Sequence, residues 1–144
     1  MRKSFPLVAA FLAAILSISS VFAVNSKQDS KKEDNQIDYE TVYLFGFSFS
    51  FADSTAFLTD IQQLDSAQIG SHGILLQRGL YSDQMKSYLL DKGVELPTCI
   101  VFFSKSPKKT NKQLQKVMKR YDKEKVYWRI LPQSDFKFTN PIIQ

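Results

Sequence analysis

The chain has 144 residues and a formal net charge of +5, from 19 Lys and Arg against 14 Asp and Glu. This length excludes more than one domain of ordinary size, and a single cysteine, Cys99, excludes an intramolecular disulfide. A hydrophobic core therefore has to hold the fold, and a chain of this size is long enough to bury one.

Residues 1–23 have the pattern of a secretory signal peptide. Arg2 and Lys3 supply a positive start, and residues 5–18 form an apolar run that is short for a membrane span. The residues Val21-Phe22-Ala23 place small or medium-sized side chains three positions and one position before a cleavage site after Ala23. The sequence thus predicts cleavage after Ala23, a periplasmic or secreted protein, and no membrane span after cleavage. An uncleaved anchor is the alternative.

The mature chain is predicted to consist of a tether and one domain. Residues 24–38 are polar and mixed in charge, which predicts a flexible N-terminal tether, because they cannot bury enough apolar surface to fold. A single α+β domain is predicted over residues 39–140. Its basic character belongs to one segment, Lys105 to Arg129, which has ten bases and two acids.

The strongest pattern in the domain is an aromatic strand at residues 41–51. Because successive side chains of a strand point to opposite faces, the alternation places five aromatic rings on one face. We expect this strand to seed the core, since each ring can remove about 150–250 Å² from water. Gly46 in its middle predicts a bulge or a close approach by another backbone. The rings are Tyr43, Phe45, Phe47, Phe49 and Phe51.

Residues 56–64 fit two structures. As a helix they would be capped by Ser54 and ended by Gly70, with an apolar stripe; as a strand, alternate positions would share a face. Periodicity alone slightly favours the helix. The following residues 65–80, where glycines surround an apolar island at 74–76, predict a long irregular connection.

The next two elements are a helix and a strand. Residues 81–93 predict a helix, with Ser82 as its N-cap and Gly93 at the C′ position. The apolar run at 98–103 predicts a buried strand. Cys99 lies in this run, and its thiol is predicted to be inert, because a reactive thiolate needs a basic and partly open site.

A second helix is predicted from Pro107 to Tyr121, because Ser106-Pro107 combines a cap with proline at the first helical position. Its apolar residues recur at i, i+3, i+4 and i+7, and basic residues occupy the opposite face. The apolar stripe is Leu114, Val117, Met118 and Tyr121; the basic face is Lys108, Lys109, Lys112, Lys116, Lys119 and Arg120.

A last strand is predicted over residues 125–131, and the tail pattern at 135–138 could add an edge strand. Strand, helix and strand from Thr98 to Leu131 predict a parallel crossover unit. With the earlier elements, the sequence predicts an α+β, two-layer fold. It would contain a mixed four-stranded sheet, in the element order ββαβαβ, with two helices on one face.

Four pieces of the chain, VYLFGFSFSF, FLTDIQQLDSA, YSDQMKSYL and TCIVFF, resemble a group of uncharacterised small exported proteins of Bacteroidetes-type bacteria. The resemblance covers about two-thirds of the mature chain and is based on the general pattern of residues rather than on a chemical motif. It implies a periplasmic or secreted location and a strand at Phe57 to Leu64. It transfers no functional residue.

Two constellations could carry chemistry. Gly46 to Ser50 comes close to a hydrolase nucleophile elbow, but Ser50 stands where that motif needs glycine. The segment from Asp53 to His72 contains side chains that could act as an acid, as a base or as oxygen ligands of a metal ion. Their spacing matches no known metal-binding loop. A small periplasmic or secreted hydrolase or metal-dependent enzyme using the Asp53–His72 region is therefore the alternative function. No catalytic residue, metal or cofactor is assigned.

The basic face of the second helix is the strongest surface feature. It could meet an acidic polysaccharide, anionic lipid head groups or nucleic acid, or it could only keep the surface soluble. Nucleic acid is not expected, because no RNP-like or OB-like pattern accompanies the basic residues. The sequence thus favours an exported, non-catalytic domain that binds an unknown protein or an anionic envelope surface.

Overall fold

The computed structural model describes residues 36–141. The predicted signal peptide and the predicted tether up to residue 35 lie outside the described residues. Six strands and two α-helices confirm the α+β class. The elements are β1 Asp38–Ser50, β2 Thr55–Thr59, β3 Gln62–Gly70, β4 Ile74–Leu75, α1 Arg78–Asp91, β5 Pro97–Ser104, α2 Pro107–Tyr121 and β6 Tyr127–Leu131.

The long aromatic strand β1 is the centre of the sheet. It forms an extended antiparallel hairpin with β2 and β3, which follow each other along one of its edges. Asp53 shapes the turn of this hairpin, because its carboxylate accepts a hydrogen bond from the Thr55 amide at 3.1 Å. At the break between β2 and β3, Thr59 Oγ1 accepts the Gly46 amide at 2.9 Å and replaces a ladder bond.

The sheet has more strands than the four predicted. β5 pairs antiparallel with the other edge of β1, β6 pairs parallel with β2, and β4 pairs antiparallel with β3. The prediction of a long irregular connection over 65–80 was wrong, because β3 continues to Gly70 and the chain returns at once as β4. The apolar island at 74–76 therefore begins as an edge strand of the sheet.

Residues 56–64 belong to two strands, β2 and β3, so the helical alternative is wrong. The single strand expected over Phe57 to Leu64 is interrupted at residues 60 and 61. Phe57 and Leu58, which a helix would place in one stripe, pack into different clusters on the two faces of the sheet. All five residues of β2 are buried. β2 is buried because it lies between β1 and β6 in the sheet and because side chains pack against both of its faces.

The two helices lie on opposite faces of the sheet, so the predicted two-layer arrangement with both helices on one face is wrong. Met85 and Leu89 of α1 pack with Leu44, whereas the apolar stripe of α2 packs with Phe45 and Phe47. The physical reason lies in β1 itself, because its non-aromatic face is also buried from Val42 to Ser50. Each face needs its own cover, and the fold becomes three layers.

Gly46 marks a close approach, as predicted, but the approaching groups are side chains. A Cβ atom at this position would lie 2.5 Å from Met85 Sδ and 3.0 Å from Phe138 Cζ. The register shift in β1 lies elsewhere, between Glu40 and Val42. Glycine is thus needed here because α1 and the C-terminal tail press directly onto the strand.

The helix ends agree only in part with the prediction. α2 begins and ends where predicted, and Ser106 Oγ accepts the Lys109 amide at 3.5 Å. Gly93 follows α1 with φ of 79°, as expected for a C′ glycine. The predicted N-cap of α1 is wrong, because the helix starts at Arg78 and the Ser82 hydroxyl donates back to the Arg78 carbonyl at 3.4 Å.

β5 is an edge strand, and this corrects the prediction of a buried one. Among the described residues it pairs with β1 alone, and Ile100 is 40% exposed. The pairings of β1, β2 and β6 make β5 and β6 parallel, which confirms the crossover through α2. The Arg78 guanidinium donates from Nε to the Val101 carbonyl at 2.8 Å.

The C-terminal tail packs on the α1 face instead of adding the predicted edge strand. Phe136 and Phe138 are buried beside Tyr81 and Tyr88 of α1. The buried Gln62 side chain donates to the Phe136 carbonyl and accepts the Phe138 amide, both at 2.8 Å. One side chain thus supplies both hydrogen bonds that a neighbouring strand would have made.

Candidate binding surface

The basic residues predicted on the second helix form one continuous surface, which we call the basic face. At about 100° per residue, the six cations fall within an arc of about 120°. Every one of them is exposed, and α2 contains no acidic residue. The basic face consists of Lys108, Lys109, Lys112, Lys116, Lys119 and Arg120.

The opposite side of α2 fixes this orientation. Its apolar stripe is partly buried against the aromatic face of β1, and the Tyr121 ring lies 4.6 Å from the Phe47 ring. The buried Thr110 hydroxyl donates to the Tyr43 carbonyl at 3.2 Å, which ties the first turns of the helix to β1. The predicted register of the helix is therefore confirmed, and the basic face points away from the core.

The charges of the basic face have no protein counter-ion among residues 36–141. The ion pair in this part of the chain joins Lys105 Nζ to Glu40 Oε1 at 2.6 Å, outside α2. Lys108 and Lys109 occupy the first turn, which holds no acid, although the helix dipole already makes that end positive. Such an arrangement is unfavourable for the isolated helix and favourable for an external anion.

The residues of the alternative enzyme function do not form one site. Asp53 lies in the turn at one end of the hairpin, and His72 follows the last residues of β3 at the other. β1 separates these ends by about 40 Å, at about 3.3 Å per residue. Asp60 accepts the Gln133 amide at 3.2 Å, and Asp65 accepts the Thr41 hydroxyl at 2.9 Å, so both serve local structure.

The two carboxylates with shifted pKa values owe them to short-range hydrogen bonds. Thr55, through its side chain and its backbone, lowers the pKa of Asp53, and the side chains of Gln63 and Thr41 lower the pKa of Asp65. Within residues 36–141, no group of three or more His, Cys, Asp or Glu side chains is placed to hold a metal ion. The predicted enzyme region thus breaks into separate turn and surface residues.

The serine motif offers no hydrolase site either. Ser48 and Ser50 face the α1 layer with 0% and 1% exposure, out of reach of a substrate. His72, the only histidine in the chain, lies at the far end of the hairpin. A nucleophilic serine needs a base within hydrogen-bonding distance, and the described residues provide none at Ser48.

A shallow cavity of about 290 Å³ lies at the end of the hairpin where His72 is found. It is bordered by Asp38, His72 and Lys105, which come from three distant parts of the sequence. Lys105 is already engaged by Glu40. Sequence patterns could not reveal this cavity, because the strand register alone brings its walls together.

Cys99 is half-buried, and burial raises the pKa of its thiol. We therefore expect iodoacetamide to alkylate Cys99 more slowly in the native protein at mildly alkaline pH than in the same protein unfolded in denaturant. The rate follows from intact mass against time. Equal rates in the two states would mean that the thiol is open and would contradict the predicted inert role.

No helix within residues 36–141 combines the length and the apolar character needed to cross a membrane. Comparisons with protein-family models, with curated proteins and with solved structures find no match for this chain.

Proposed function

We propose that this protein is an exported, non-catalytic binding domain that holds an anionic partner on the basic face of α2. The partner is a protein with an acidic surface or an anionic surface of the cell envelope. One observation carries the proposal: six exposed cations share an arc of one helix, and none has a counter-ion among the described residues. The export signal and the resemblance to small exported proteins support the location.

The distribution of charge favours binding over simple solubility. A surface that only keeps a protein soluble usually mixes positive and negative side chains, whereas α2 contains no acidic residue along its whole length. Clustered cations of one sign raise the local potential and attract anions from solution. Because Lys108 and Lys109 oppose the helix dipole, each costs about 0.3–1 kcal/mol of helix stability at low salt. A bound anion would remove that cost.

The test replaces Lys108, Lys109 and Lys112 together with glutamine. We expect the variant to elute from a sulfated-polysaccharide column at clearly lower salt than the parent, since electrostatic retention follows the local potential. Its melting temperature should stay the same or rise slightly, because the substitution relieves the helix dipole.

A matched control replaces three exposed lysines outside α2 with glutamine, so that both variants lose the same net charge. These lysines are Lys86, Lys92 and Lys137. The control should elute close to the parent. Equal shifts of the two variants would show that retention reports only net charge and would refute the basic face as a site. A marked loss of stability in the α2 variant would instead show that its lysines contact the interior.

A further inference from the structure

The first residues of β1 leave one side of this central strand open. β5 pairs with β1 only as far as Tyr43, whereas β1 begins at Asp38. Backbone groups alternate along a strand, and the Gly46 amide is directed toward β2. Tyr39 and Thr41 therefore direct their N–H and C=O groups to the open side. No strand within residues 36–141 pairs there, and we call residues 38–42 the free β1 edge.

β6 forms the opposite edge of the sheet, because among the described residues it pairs with β2 alone. The Tyr127 amide donates to the Ser54 carbonyl at 3.1 Å, and the Leu131 carbonyl accepts an amide at 3.2 Å, so these residues are directed inward. Trp128 and Ile130 occupy the alternate positions and direct their backbone groups outward. β6 has five residues, which matches the length of the free β1 edge.

The other edges of the sheet are guarded or very short. Arg78 donates to the Val101 carbonyl on the outer side of β5 at 2.8 Å, and β4 has only two residues. The free β1 edge and β6 contain neither proline nor lysine, the residues that commonly prevent the addition of a further strand. These two edges are thus the ones open to another chain.

The two open edges match in direction. β2 is antiparallel to β1, and β6 is parallel to β2, so β6 runs antiparallel to β1. The free β1 edge opens on the side of β5, and the β6 edge opens on the opposite side of the sheet. A second copy that is shifted without rotation therefore brings its β6 beside the free β1 edge in antiparallel direction, with the same face of the sheet upward.

The two open edges also match in charge. Asp38 and Glu40 share the α1 face of the sheet with Val42, since alternate residues of a strand share a face. Arg129 lies on that same face, because it pairs with Phe57 of the cluster under α1. Within residues 36–141, neither Arg129 nor Asp38 has an ion-pair partner. Pairing of the two edges places the guanidinium on the side of the carboxylates.

On the α2 face, both edges carry exposed apolar side chains. Tyr39 is 66% exposed and Ile130 is 51% exposed. Ile130 is on this face because it pairs with Leu58 of the cluster under α2, and Tyr39 alternates with the carboxylates on the other face. Cross-strand pairs of an aromatic with a β-branched residue are favourable.

We propose that the protein assembles head to tail, with β6 of one copy adding as an antiparallel strand to the free β1 edge of the next. Main-chain hydrogen bonds hold such a strand, and the opposite charges select its orientation. Because the two edges are different surfaces, each copy keeps one edge unused, and the assembly continues unless it closes into a ring. The contact does not involve the basic face of α2, so this inference is independent of the proposed function.

The test blocks each edge with proline. Ile130→Pro and Tyr39→Pro each remove an N–H that is directed outward, which leaves the hydrogen bonds inside the sheet intact. In sedimentation velocity, the mean mass of the parent should rise with protein concentration, whereas each variant alone should stay monomeric. An equimolar mixture of the two variants should form a dimer, because each supplies the edge that the other lacks.

The matched controls Ile130→Val and Tyr39→Phe keep the N–H groups and should associate like the parent. Circular dichroism verifies that the proline variants are folded. Arg129→Glu tests the contact without altering the backbone, and it should weaken association on the order of tenfold, since it places like charges together.

A parent that stays monomeric at every soluble concentration overturns the proposal. Association that persists in both proline variants also overturns it, as does a mixture of the two that forms no dimer. An Arg129→Glu variant that associates like the parent would refute the pairing with the carboxylates. Column retention of the α2 lysine variant tests the proposed function separately, because that variant keeps both open edges.

Discussion

Replacing Phe45 and Phe47 together with alanine should leave the domain unfolded at room temperature. The two rings are 0% and 5% exposed. Phe45 stacks on Phe102 at 5.0 Å, and Phe47 contacts Tyr121 at 4.6 Å. Emptying a buried aromatic site costs about 3–5 kcal/mol, and a small domain has about 5–15 kcal/mol of stability in total. The two losses together can therefore exceed what the fold possesses.

The measurement is the thermal melt of each single variant and of the double variant by circular dichroism. Phe51→Ala is the matched control, because this ring belongs to the same aromatic series but is 75% exposed. It should change the free energy of unfolding by no more than about 0.5 kcal/mol. Cooperative melting of the double variant near the parental temperature would show that the aromatic face of β1 is not the core.

Gln62→Met should lower the free energy of unfolding by about 2–4 kcal/mol, because it leaves a buried carbonyl and a buried amide of the tail without partners. Gln62 is 1% exposed and makes both hydrogen bonds at 2.8 Å. Methionine keeps the volume of the side chain and removes only its polar atoms. The loss thus reports the hydrogen bonds and not a cavity.

Urea unfolding gives the free energy, and hydrogen exchange of the Phe138 amide reports the local effect. That amide should exchange much faster in the variant, while amides of β1 respond only through global stability. Gln63→Met, at the exposed neighbouring position, should be close to neutral. An unaltered Phe138 exchange rate would mean that the tail is held by its phenylalanines alone.

The sequence was sufficient where a local pattern decides the structure. Alternating aromatics identified β1, and the four-residue spacing of α2 placed its lysines away from the core, since both patterns act within a single element. For residues 56–64 the strand alternative is correct, although periodicity favoured a helix. In β2 the side chains are buried on both faces. Such a strand lacks the alternation of apolar and polar residues by which a strand is recognised in a sequence.

The remaining errors concern contacts between distant parts of the chain. Gly46 was predicted to meet another backbone, and it meets the side chains of Met85 and Phe138, whose arrival only the tertiary structure reveals.

The position of Arg78 at the outer side of β5 has a consequence for the protein at high concentration. Gly46 directs its amide toward Thr59, so Val101, which pairs with Gly46, directs its polar groups toward the unpaired side of β5. An apolar edge of this kind is a template on which further copies can add strands and grow into aggregates. Arg78 donates a hydrogen bond to the Val101 carbonyl in the middle of β5. This charged group has to be displaced before a second strand can pair with β5. Because Arg78 begins α1, this barrier to polymerisation lasts as long as the helix stays folded.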